Sequence, residues 1–307
     1  MSDQTALSAE QLQKVGALAQ SIQAKLTSQG PYAIGRVQVR GNSILGFLNQ
    51  VNSLREFYQE STATFKNATF LVYEQERLTF GQVAEQANSL AIALAGLGVT
   101  KGKRVALFMR NWPEWCIAFH AITMMGAVCV PLNGWWIEEE VAYGLENSGA
   151  SVVICDTERH KKCHPCLAKL GISAVLIRNG PFVEAKGYKA LHWDNLMKTK
   201  GLAPAVNIDP EDVAAIMYTS GTTGHPKGVV LTHRSIMAQM MVAKFGVEMT
   251  REVMKVLAPN APPDPIQPCV ICPVPLFHVT ACHHLFLTSY CMGRKTVIMA
   301  KWDAGFK

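Results

Sequence analysis

The chain has 307 residues, 49% of them hydrophobic and 17% charged, which excludes disorder throughout and provides a sizeable core for about two domains or one large α/β unit. Its formal charge is +6, from 29 basic against 23 acidic residues. No basic block is dense enough for a nucleic-acid arm, so no nucleic-acid partner is expected, and the mild basicity suits either an anionic substrate or an ordinary solvated surface.

In chain order, Leu12, Val15, Leu18, Ala19 and Ile22 fall at helical spacing, and the pattern predicts an amphipathic helix over Ser8 to Leu26, ended by Gln29-Gly30-Pro31. Such a helix can pack on a neighbouring domain or lie on a membrane surface. Up to about Asn67 the pattern is irregular, and residues 1–64 read as an N-terminal extension. Thr69 to Tyr73 and Leu78 to Phe80 read as a short hairpin, and Gly81 to Leu97 as an alanine-rich helix. A strand over Arg104–Met109 follows, then a helix from Pro113 to about Met125, a strand at Val128–Val130, a helix over Glu138–Asn147 and a strand at Val152–Ile154. The last pair in this run is a helix over Lys161–Leu170 and a strand at Ala174–Ile177. Strand and helix alternating at these intervals predict an α/β fold, parallel-rich sheets flanked by helices. After a looser connection from Thr199 to Asp212, Val213–Met217 and Gly228–Leu231 read as two strands, and Thr232 is placed to cap a helix through Val242.

Nine cysteines are spread along the chain, several of them (Cys116, Cys129, Cys155) in apolar runs, and they read as reduced core thiols of an intracellular protein. The pairs Cys163/Cys166 and Cys269/Cys272 lie about a hundred residues apart, far from zinc-ribbon or zinc-finger spacing, so no metal site is expected there. No charged-then-apolar leader opens the sequence, and no run reaches the ~18 apolar residues of a transmembrane segment. The expected location is intracellular, either cytoplasmic or membrane-peripheral.

The chemistry concentrates in Tyr218-Thr-Ser-Gly-Thr-Thr-Gly-His-Pro-Lys-Gly228, between two predicted strands. Its glycines let backbone N–H groups converge on an anion, because no Cβ blocks the approach. Thr219, Ser220, Thr222 and Thr223 add hydroxyl donors around Gly221 and Gly224. Lys227 adds a mobile positive charge, with Pro226 fixing the chain direction before it. The combination suits a polyphosphate. It is not a Walker A loop, which needs Gly before the lysine, Ser or Thr after it, and a helix next.

As an ordered string this segment resembles the phosphate-binding signature of the adenylate-forming (AMP-binding) enzymes, of acyl-CoA synthetase type. The flanking segments resemble the same family in the same order: Leu78-Thr-Phe-Gly-Gln, Leu97 to Leu107, Asn111-Trp-Pro-Glu-Trp115, Gly126-Ala-Val-Cys-Val-Pro-Leu-Asn133 and Pro275-Leu-Phe-His278. The resemblance covers roughly Phe65 to Asp303. It implies that residues 65–307 form the N-terminal portion of an AMP-binding synthetase domain, an incomplete N-terminal domain of the adenylate-forming fold.

The reaction it implies is formation of an acyl-adenylate from ATP and a carboxylic acid, of fatty-acid type, followed by transfer of the acyl group to coenzyme A. By the same resemblance, ATP acts with Mg2+, Thr219 to Gly224 and Lys227 hold its β- and γ-phosphates, and His278 lies by the adenylate at the mouth of the acyl pocket. The family's Tyr-Gly-x-Thr-Glu and Thr-Gly-Asp segments and its lysine-bearing small domain have no counterpart in these 307 residues. No complete catalytic set is therefore expected here, and the chain by itself is not expected to adenylate efficiently. The alternative reading is a catalytically inactive nucleotide-binding or interaction module.

Overall fold

The computed structural model describes residues 8–178, 180–219, 224–260, 262 and 266–301. The chain divides into two compact units, Met1–Gln50 with Ala238–Ile266, and Val51–Met237 with Gln267–Lys307.

In the first unit, α1 (Ala9–Ser28) opens with a capping box: Gln11 N donates to Ser8 Oγ at 3.2 Å, and Ser8 N donates to Gln11 Oε1 at 2.8 Å. After a single 3-10 turn (Gly30–Tyr32), β1 (Ile34–Val39) and β2 (Asn42–Phe47) form an antiparallel hairpin. This stretch reads as irregular in sequence. Its two-residue turn is Arg40-Gly41, with φ of 49° and 80°, and so lacks the Asn-Gly or Asp-Gly signal that marks such turns.

The second unit begins with α2 (Leu54–Phe65), capped by Ser53 and buried at Leu54, Phe57, Tyr58 and Ser61. Its helical spacing is hidden from an apolar count because the last of those four is a serine. β3 (Thr69–Tyr73), β4 (Glu76–Thr79) and α3 (Phe80–Gly96) follow, the helix started by a Thr79/Gln82 capping box. The alternation then runs β5 (Arg104–Phe108), α4 (Pro113–Met124), β6 (Val128–Pro131), α5 (Glu138–Ser148), β7 (Ala150–Cys155), α6 (Thr157–Leu170) and β8 (Ser173–Leu176). Helix α6 starts a turn earlier than its apolar pattern suggests, because Asp156 caps it by accepting from Arg159 N.

The short β9 (Ala190–His192) and α7 (Trp193–Leu196) lead through a long connection to β10 (Val213–Thr219) and β11 (Lys227–Thr232). Ser235 N donates to Thr232 Oγ1 at 3.2 Å at the head of α8 (His233–Leu257). This helix continues fifteen residues past the expected Val242. Residues 238–257 belong to the first unit, where Phe245 meets the rings of Tyr32 and Phe47 at 5.7 and 6.4 Å. Back in the second unit come β12 (Cys269–Cys272), a π-helical stretch (Thr280–Leu287), α9 (Thr288–Met292) and β13 (Lys295–Ile298).

Among the described residues the second unit holds a sheet in the order β11-β10-β6-β5-β7-β8-β9 and another in the order β12-β13-β3-β4. The first is parallel except for β11 against β10, and the second is parallel except for β4 against β3. From β5 the chain moves outward to β6 and then back across to β7, so β5/β7 is the switch point of a doubly wound sheet. On one face α5 and α6 cover Phe108, Leu132, Val153 and Cys155. Towards the other sheet, α4 is buried on nearly every side, with Pro113 and residues 115–123 all enclosed. Around it gather Phe57, Phe70, Phe80, Phe286 and Tyr290, and inside this layer Tyr58 meets Thr123 at 3.1 Å and His120 Nδ1 meets the Tyr290 hydroxyl at 2.9 Å.

His120 and His233 are buried, and burial lowers their pKa from the ordinary 6.5 to about 3 and about 4. The unfolded chain takes up protons at both below pH 6.5 while the folded chain does not. Their stabilising effect is therefore complete above that pH and is lost as pH falls, down to about 4 for His233 and about 3 for His120. Unfolding free energy from denaturant titration should fall between pH 7 and pH 5, with each histidine contributing a limiting slope of about 1.4 kcal/mol per pH unit. His120→Gln should shallow that slope, and a stability flat over this range would contradict the assignment.

Candidate functional site

All parallel strands of the larger sheet end on one edge, and the residues that matter collect there. β10 delivers Tyr218 and Thr219 to this edge, and β11 leaves it with Lys227 paired opposite Thr219. Thr219 Oγ1 lies 3.4 Å from the Lys227 carbonyl oxygen. Gly224 sits at φ +119°, a backbone conformation open to glycine and strained for other residues, with no atom within 4 Å of where a Cβ would stand. Ser220, Gly221, Thr222 and Thr223 lie outside the described residues.

A cavity of about 420 Å³ opens against this turn, and its wall includes Asn133, Trp136, Thr219, Pro226, Phe277 and His278. Thr219 and His278, 59 positions apart in sequence, thus line one cavity. Lys227 and Gly224 flank the same turn without lining the cavity. The wall is mostly apolar, with the polar groups of Asn133, Thr219 and His278 set into it. That arrangement suits a ligand with an apolar body and an oxygen-rich end.

Tyr218, also in this wall, has its phenol raised above the usual 10.0, chiefly by burial and further by the nearby Tyr143, so it acts as a neutral donor. A second cavity of about 420 Å³ shares Phe277 and is bordered by Arg110, Asn111, Trp135 and Arg159. Trp135, which lines only the second, meets Phe277 edge-to-face at 5.4 Å.

Motif reading passes over Asn133, Trp136 and Phe277 as site residues, although each lies in or beside a quoted segment. The missing signal is topological: Asn133 and Trp136 follow β6, the strand that β10 pairs with, and short strands with nonlocal partners do not announce their order. Asn111, likewise unmarked, holds the His278 segment in place. Its Nδ2 donates to the Val274 carbonyl at 2.9 Å, and its Oδ1 accepts from Leu276 N at 2.8 Å, with the side chain buried. The turn that ends in His278 then closes with His278 N donating to the Pro275 carbonyl at 3.0 Å.

A sequence profile of the family described as AMP-binding enzyme matches residues 58–307. The chain belongs to that family. It is 39% identical over 160 residues to long-chain-fatty-acid–CoA ligase FadD13 of Mycobacterium tuberculosis, covering 52% of this chain and 30% of that ligase. To 4-coumarate–CoA ligase 3 of Oryza sativa subsp. japonica it is 28% identical over 230 residues, covering 75% and 38%.

Among solved structures, the N-terminal domain of FACL13 from Mycobacterium tuberculosis superposes with a TM-score of 0.65 and 26% identity, over 83% of this chain and 58% of that one. Anthranilate CoA ligase AuaEII superposes with a TM-score of 0.68 and 25% identity, over 81% and 45%. The α/β fold of this AMP-binding chain, parallel-rich sheets flanked by helices, is that of the N-terminal domain of adenylate-forming enzymes, and the chain spans well under half the length of the ligase sequences it matches.

Replacing Asn111 by Ala leaves a buried donor–acceptor pair on the Val274–Leu276 backbone unanswered, at a cost of about 1–3 kcal/mol for each orphaned group. Asn111→Ala should therefore lower the thermal midpoint by several degrees, as read by calorimetry. An unchanged midpoint would mean that the segment is held by other contacts.

Proposed function

We propose that this chain is the N-terminal portion of an AMP-forming acid–thiol ligase that activates a carboxylic acid, of fatty-acid type, through its adenylate and passes it to coenzyme A. The observation that carries the reading is the meeting of Thr219 and His278 in one largely apolar cavity at the carboxyl edge of the sheet. The higher identity to FadD13 over a 160-residue stretch supports the fatty-acid assignment over the aromatic one suggested by the 4-coumarate ligases.

In this reaction a carboxylate oxygen attacks the α-phosphorus of ATP and pyrophosphate departs. The coenzyme A thiolate then attacks the acyl carbonyl and AMP departs. Activation is needed because a carboxylate is a poor electrophile until one of its oxygens belongs to a leaving group. The backbone and hydroxyls from Thr219 to Gly224 hold the β- and γ-phosphates, Lys227 supplies positive charge beside them, and His278 borders the adenylate and the entrance for the acid. The apolar wall of Trp136 and Phe277 receives the acyl portion. ATP arrives as its magnesium complex. Among the described residues the cavity wall contains no carboxylate.

Calorimetric titration of the 307-residue chain with ATP tests the phosphate assignment directly. Binding is expected, and Lys227→Ala should weaken it by about 10- to 100-fold, the loss of one charge-assisted contact. A chain that does not bind ATP would remove the nucleotide reading. Carboxylate-dependent pyrophosphate exchange, assayed in a longer chain that also carries the family's later segments, tests the ligase reading separately.

A further inference from the structure

Both stems of the phosphate-signature turn rest on one side of α5. Before the turn, the Tyr218 hydroxyl donates to Asn147 Oδ1 at 2.7 Å and lies 3.3 Å from the Gly144 carbonyl oxygen. After it, the His225 ring stacks on Tyr143 with centroids 4.4 Å apart and planes 17° from parallel, and the Tyr143 hydroxyl donates to the Pro226 carbonyl at 3.3 Å. Tyr143 and Asn147 are four residues apart on the helix and so share a face. Between them, Gly144 accommodates the indole of Trp136: a Cβ there would stand 2.6 Å from the ring.

Ladder pairing fixes Thr219 and Lys227 relative to one another but does not reach the Gly224–Pro226 arm that leads into Lys227. The contacts with Tyr143 hold that arm. An anion site built from backbone N–H groups loses affinity when its backbone must be ordered at the moment of binding, and gains it when the surrounding fold has already ordered the chain.

From this geometry we infer that Tyr143 and Asn147 are positioning residues, setting from α5 the affinity of the turn for a polyphosphate. Tyr143 acts through His225 and Pro226, Asn147 through Tyr218, and neither touches the ligand. The inference rests on the phosphate-binding reading of the turn.

The test is calorimetric titration of the 307-residue chain with ATP and with inorganic tripolyphosphate, alongside the thermal midpoint of each variant. Tyr143→Ala, which removes both the stack and the hydrogen bond, should weaken both ligands by about 5- to 20-fold. Tyr143→Phe keeps the stack and should weaken them by no more than about 5-fold. His225→Ala should resemble Tyr143→Ala, whereas His225→Phe, which restores a ring for Tyr143 to stack on, should return the affinity to within about 2-fold of the parent chain. General damage to α5 would not be rescued from the other side of the stack.

A parent chain that binds neither ligand overturns the phosphate reading itself. A parent chain that binds both, with Tyr143→Ala binding equally well or His225→Phe no better than His225→Ala, overturns the positioning role and leaves the phosphate reading standing.

Discussion

The parallel pairing of β10 with β6, through Ala215 opposite Cys129, is the constraint on which the site depends. A parallel strand must arrive from the far edge of the sheet, so β10 is obliged to finish where β5, β6 and β7 finish. The antiparallel return of β11 then places the turn at that same edge. Had Val213–Thr219 paired antiparallel to β6, the signature segment would lie at the opposite end of the sheet, away from Asn133, Trp136 and the His278 segment. One pairing direction thus brings Tyr218, Thr219 and Pro226 into one wall of a cavity.

The opposite wall is held by a different device. Helix α4 has almost no solvent-facing side, and its rings pack against Tyr58 of α2 and against Phe286 and Tyr290 of the chain after β12. Enclosed at Pro113 and at every position from 115 to 123, such a helix cannot shift without opening the core on several sides. Asn111, two residues before it, therefore offers the Val274–Leu276 backbone a fixed pair of hydrogen-bonding atoms. The buried histidines of this layer and of the α8 head are part of the same economy: they are held neutral by desolvation, which ties packing of the interior to pH.

The polar and apolar parts of the site are supplied by different elements. Thr219 comes from the β10–β11 hairpin, Asn133 and Trp136 from the segment after β6, and Phe277 and His278 from the segment after β12. Helix α5 joins the first two, since Gly144 makes room for Trp136 while Tyr143 and Asn147 engage the hairpin stems. Binding chemistry carried on connections and braced by a rigid sheet is the usual division of labour in α/β folds.

The sequence by itself determined the alternating elements between β3 and β8 and the ordered segments from which the family is legible. These are local properties: apolar periodicity is written within a few residues. Tertiary structure alone decided the rest. The β1–β2 hairpin is closed by an untypical Arg-Gly turn, and α8 runs past Gly246 because residues 238–257 find ring contacts for Phe245. Strands β12 and β13 are four residues each, and β13 pairs with β3 more than two hundred positions earlier. Which motif residues face one another was equally out of reach. Thr219 meets His278 only because strand order and pairing direction bring distant segments to one edge, and both are fixed by burial summed over the whole sheet rather than by any short stretch of sequence.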